Sequence, residues 1–116
     1  MNKVSFEEAG ALLVTFYADE GVKQGQVVKV SRNGTVAPCG DGEPFCGLAG
    51  SCGGGTAGVQ VQGFAQAAYS GEMSLGRMEL VANGEGGVRA AAENEKGIPA
   101  LVVDADPAGK TIMICL

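Results

Sequence analysis

The residues of this 116-residue chain that are equipped for chemistry fall in a few short clusters, and glycine supplies the first. In "GLAGSCGGGTAG", residues 47 to 58, Gly53, Gly55 and Gly58 reproduce the G-x-G-x-x-G spacing that elsewhere seats a pyrophosphate on a helix N-terminus. That meaning requires a strand before the glycines, a helix after them, and an acidic residue about 20 positions on. Here the next residues alternate as "VQVQ", which predicts a strand, and the Lys-Ser or Lys-Thr of a P-loop is missing as well. The cluster therefore reads as a hairpin tip, Gly53, Gly54 and Gly55, expected to be mobile in an isolated protomer or ordered against a neighbouring subunit.

"DADPAG" (104 to 109) sets Asp104, Asp106 and Gly109 at calcium-loop offsets, but Ala108 stands at the third ligand position and Cys115 where the closing Glu belongs. An Asp-Pro turn between two strands is the simpler reading. Asp41 with Glu43, and Glu93 with Glu95, are carboxylate pairs in loops, where solvated charge is the ordinary role and acid–base chemistry the rare one. Gln60, Gln62 and Gln66 form a polar row, with the solvent side of a strand as its plain explanation.

The four cysteines, Cys39, Cys46, Cys52 and Cys115, contain no C-x2-C pair, and no export signal precedes them. Small buried or half-buried thiols are the favoured reading, with a Cys39–Cys52 bridge across a hairpin as the alternative. Cys52 beside the glycines has the backbone setting of an activated thiol, but no His, Lys or Arg adjoins it in sequence, which argues against that role. The chain has no His at all, which removes the usual general base, the Ser-His-Asp and Cys-His pairings, and the commonest metal ligand. No catalytic, cofactor-binding or metal-binding residue is assigned, no cofactor is expected, and the chain is not expected to be an enzyme.

Charge and composition narrow the partners. Eight Lys and Arg against 13 Asp and Glu give a net charge of -5 with no basic cluster, so a nucleic-acid backbone would be repelled. The apolar run "AGALLVTFYA" follows Glu7 and Glu8 instead of a basic segment, and is far shorter than the roughly 20 residues of a membrane span. With no Trp, four Phe and two Tyr, the core must be thin and built from Val, Leu, Ile and Ala, so stability leans on neighbours and assembly is expected.

The elements that position these clusters are short. Alternating apolar runs between glycine turns predict an all-β chain, a compact antiparallel β-barrel or β-sandwich of about eight or nine short strands. Residues 1–10 form an N-terminal arm and 11–116 a single domain. Strands are expected at "ALLVTFY" (11 to 17) and at "QVVKVS" (26 to 31), where Val28 and Val30 share a face. Asn-Gly turns in "RNGT" and "NGEGG" head two similar hairpins. "GVQVQGFAQAAY" (58 to 69) changes parity at Gly63, predicting a bulge or kink there that re-aims Phe64 inward. "IPALVVDA", the turn "DPAG" and "KTIMICL" close the chain, the last strand apolar on both faces.

This order of strands and turns resembles the capsid cement, or head decoration, proteins of phages, a family of small β-rich structural proteins. The likeness lies in "GVKQGQVVKVSRNGTVAPC", "FCGLAG", "VQVQGFAQAAYSG", "SLGRMELVANGEGGV" and "ALVVDADPAGKTIMICL". The resemblance implies a non-enzymatic virion protein, made in the bacterial host cytoplasm, that binds the major capsid protein on the outside of an icosahedral shell and strengthens it. It also implies a homo-oligomer, a trimer being favoured, with no nucleic-acid or membrane partner. The four cysteines and the glycine-rich 53 to 58 loop depart from the family pattern. Residue by residue, the expected contact surface is the arm, Asn2, Lys3, Val4 and Phe6, with the Gly53–Gly55 tip, because no predicted strand claims the arm's apolar residues. The competing expectation is a carbohydrate- or cell-surface-binding β-sandwich, for which Tyr17 and Tyr69 are the only tyrosines available as platforms.

Overall fold

The computed structural model describes residues 11–116. Among them the short alternating runs give ten strands and no helix. The first five are β1 (Leu12–Ala18), β2 (Val27–Arg32), β3 (Thr35–Pro38), β4 (Gly47–Gly53) and β5 (Thr56–Gln62), which close into a barrel in the order β1-β3-β2-β4-β5. β6 (Phe64–Ala68), β7 (Gly76–Ala82), β8 (Val88–Ala90), β9 (Ile98–Asp106) and β10 (Thr111–Cys115) form a second sheet, ordered β6-β10-β9-β7-β8. Paired strands are antiparallel except β1 and β3, whose brief parallel contact (Tyr17 with Thr35, Ala18 with Val36) closes the barrel.

The all-β expectation holds, and the two similar hairpins exist as β2–β3 in the barrel and β7–β8 in the sheet. The strand count is ten instead of eight or nine because the run from 58 to 69 divides at Gly63. Gly63 takes a φ of 98°, open to glycine but costly for other residues, and the chain there leaves the barrel for the second sheet. The break was legible; the aim of Phe64 was not. Pairing with β10 sets Ala65 opposite Ile114 and Ala67 opposite Ile112, all four buried, so Phe64 falls on the face of exposed Gln66 and Ala68. A hinge between two sheets, unlike a bulge within one, resets which parity faces the core.

Two apolar clusters share β2. Val28, Val36, Ala49, Ala57 and Val59 fill the barrel, and the narrow interior of a five-stranded barrel accounts for the small side chains. Val27, on the opposite face, joins Leu80, Val88, Val102, Ile112, Ile114 and others in the layer between barrel and sheet. Val27 and Val28 are therefore both shielded from water. Val30 does not share that fate with Val28: it adjoins the register shift between Val30 and Arg32 and is 54% exposed.

The segment joining β3 to β4 fastens the two layers. Gly42 N–H donates to the Ala82 carbonyl (2.8 Å) and Ala82 N–H to the Glu43 carbonyl (2.9 Å), adding rungs at the end of β7. Phe45, only 3% exposed, thereby enters the interlayer cluster, while Val27 N–H donates to Gly86 in the β7–β8 connection (2.9 Å). Phe45→Ala is expected to lower the unfolding free energy by about 3–5 kcal/mol, measured by chemical denaturation, and a loss below about 1 kcal/mol would contradict this packing role.

Candidate functional site

The glycine tip is a two-residue turn. Gly53 pairs with Thr56, and between them Gly54 (φ 63°) and Gly55 (φ 81°) are both left-handed, as a type I′ hairpin turn requires. Thr56 Oγ1 donates to the Gly53 carbonyl (3.1 Å) and Ala18 N–H to the Gly55 carbonyl (2.9 Å), tying the tip to the end of β1. With residues 18 to 22 the tip walls an open depression of about 380 Å³. Asp19 and Glu20 line it, a charge that opposes any phosphate, and β5 follows where a nucleotide site needs a helix.

Among the described residues, β1 gathers most of the exposed large apolar side chains. Leu12 (50%), Leu13 (62%), Val14 (37%) and Tyr17 (68%) all face solvent, and only Phe16 and Ala18 pack toward the barrel core. The reason is a mismatch of lengths. β1 follows β5 from Leu12 to Tyr17, but β3 begins only at Thr35, after the Asn33-Gly34 turn, and meets just Tyr17 and Ala18. Tyr17 N–H donates to the Gly34 carbonyl (2.8 Å), which marks where the β2–β3 hairpin ends. The first five residues of β1 overshoot it. No charged side chain occurs from Leu12 to Ala18.

The described residues include only part of the contact surface expected from sequence. Asn2, Lys3, Val4 and Phe6 lie outside the described residues, and their segment joins the domain at the Leu12 end of β1. Gly53, Gly54 and Gly55 lie beyond the Ala18 end. β1, a strand of roughly 20 Å, runs from Leu12 toward that tip. Sequence reasoning placed the strand and missed its exposure; the available signal was "ALLVTFYA", which offers no charged face to water.

The charged residues group elsewhere. Arg89 donates through Nε to Asp41 (3.0 Å) and through Nη2 to Glu95 (2.7 Å), while Glu95 also accepts from Ala92 N–H (2.8 Å). Lys29 bonds Glu43 (2.8 Å), and Arg32 pairs with Asp19. The expectation of plain solvated carboxylates is corrected for Asp41, Glu43 and Glu95, each of which belongs to a cation supplied by another segment. Arg89, aided by Ala92 N–H, holds the Glu95 carboxyl down at about 2, and Lys29 with Gly40 N–H lowers that of Glu43.

The remaining candidates disperse. All four cysteines are free, so the Cys39–Cys52 bridge is not formed; Cys39 and Cys46 are half-buried, and burial pushes the Cys39 thiol up to about 11. Cys52 is exposed. The glutamine row is split between sheets, and Gln60 Nε2 donates to the Phe64 carbonyl (2.7 Å), bracing the Gly63 crossing. Asp106 accepts from Ala108 N–H (3.1 Å) in the β9–β10 turn, and among the described residues no three His, Cys, Asp or Glu side chains converge. Compared with protein-family models and with curated proteins, the chain matches neither.

Two outcomes follow from these environments. A carboxyl held below its ordinary value stabilises the fold above its unfolded pKa and loses that effect as pH falls through its folded pKa. Stability is therefore expected to decline from about pH 4.5 toward about pH 2, and Glu95→Gln should flatten that portion of the profile in denaturation midpoints; an unchanged profile would contradict the Arg89 pairing. Cys52 should be alkylated before Cys39, as read by peptide mass spectrometry, and equal labelling of the two would contradict their placement.

Proposed function

We propose that this protein is a decoration, or cement, protein of a phage head, which binds the major capsid protein on the outer surface of the icosahedral shell and strengthens it against internal pressure. A protein with this task needs a well-packed body and a surface that adheres through area instead of a pocket, repeated in many copies. The observation that carries the reading is β1, a charge-free apolar strand seated on a closed barrel and open to solvent at Leu12, Leu13, Val14 and Tyr17. Apolar surface marks an interaction site when it is contiguous, and along β1 Leu13 and Tyr17 share one face while Leu12 and Val14 share the other. The order of strands and turns supports the same reading, since the two Asn-Gly hairpins and the closing β9–β10 pair carry the sequence likeness to decoration proteins.

On this reading the shell contact runs from the arm, Asn2, Lys3, Val4 and Phe6, along β1 toward Gly53–Gly55. The purified protein should co-sediment with empty phage shells and add a regular protrusion seen by electron microscopy. Deleting residues 2 to 8 should abolish binding while leaving the far-ultraviolet circular dichroism unchanged. A full-length protein that stays in the supernatant with every candidate shell would overturn the function, and undiminished binding by the truncated chain would overturn the role of the arm.

A further inference from the structure

Along a paired strand, successive residues turn their backbone N–H and C=O groups alternately to one neighbour and the other. At the end of β1 the directions are fixed: Ala18 N–H donates to Gly55 on the β5 side, and Tyr17 N–H to Gly34 on the β3 side. Counting back by twos, Thr15 and Leu13 turn the same way as Tyr17, into the space beyond the tip of the β2–β3 hairpin. Among the described residues, no strand pairs with β1 on that side before Tyr17. The result is an open edge in an apolar, β-branched and aromatic sequence, the arrangement most prone to accept another strand.

Charge selects the strand that fits. Copies of a chain with net charge -5 repel each other over most of their surface, but β1 carries no charge. Glu8 precedes the strand and Asp19 follows it, and Asp19 is engaged by Arg32 and by Ser31 Oγ (2.9 Å). Two copies can therefore meet here with no charge on the paired strands themselves. Register favours the same arrangement, because Leu13 and Thr15 flank Val14 symmetrically and each presents one donor and one acceptor outward.

We propose that the open edge of β1 pairs antiparallel with the same edge of a second copy, about a two-fold axis at Val14. Leu13 then exchanges backbone hydrogen bonds with Thr15 of the partner subunit, and Thr15 with Leu13 of the partner subunit. The four bonds close an isologous interface along the backbone edge of the strand. The pairing uses the backbone edge of β1 and leaves its side chains to the shell contact, and it stands in place of the trimer that the resemblance implies.

Sedimentation equilibrium of the full chain tests it without any shell. The expected result is a dimer of the 11.6 kDa chain that dissociates on dilution. Thr15→Pro removes an edge N–H that β5 does not use, and should weaken the dimer by about tenfold or more. Leu13→Lys, which charges a side chain already in solvent, should do the same; unfolding midpoints for both variants establish that the fold survives. A monomer at every concentration, a trimer, or a dimer indifferent to both variants overturns the proposal. A chain that dimerises only after residues 1–10 are removed also overturns it, since its own arm would then occupy the edge.

Discussion

Val27 and Val28 are neighbours on one strand, and neither is open to water. Side chains alternate across a strand, so this single fact demands a covering layer on each face of β2. The barrel interior supplies one layer and the second sheet the other. The rest of the architecture serves that double burial: Phe45 fills the space beside Val27, the rungs between the 39–46 connection and Ala82 hold it there, and Gly63 lets the chain leave one layer for the other. The barrel's own filling follows from its size, for five strands leave room for Val and Ala and little else.

The same economy of strands exposes β1. A short β3 suffices to close the barrel at Tyr17 and Ala18, and among the described residues the strand before that point pairs with β5 alone. The ion pairs at Arg89 and Lys29 fasten loops elsewhere, leaving the overshooting strand apolar and unencumbered by charge. Closure at one end of the strand and availability at the other are thus two sides of one geometrical choice, and the proposed interactions use the available end.

Local features were legible from sequence wherever local chemistry decides the outcome. Asn33-Gly34 and the 83–87 segment announce their hairpins, the glycines at 54 and 55 announce a tight turn, and Gly63 announces a break. What each of these does to distant parts was not legible. The parity of β6 depends on its pairing with β10, some fifty residues along, and Asp41 reaches Arg89 across 48 positions. The exposure of β1 depends on where β3 begins, which periodicity within "ALLVTFYA" does not encode. Alternation says that a strand has two faces; only its neighbours say which are covered.

β1 is proposed as an interaction strand whose edge, unpaired before Tyr17 among the described residues, fills on association. Amide hydrogen exchange at Leu13 and Thr15, followed across a dilution series, addresses it most directly. Both amides are expected to exchange rapidly in dilute protein and to become protected as concentration rises, while Val14 and Phe16, which face β5, stay protected throughout. Exchange at Leu13 and Thr15 that is independent of concentration, whether fast or slow, would contradict the account.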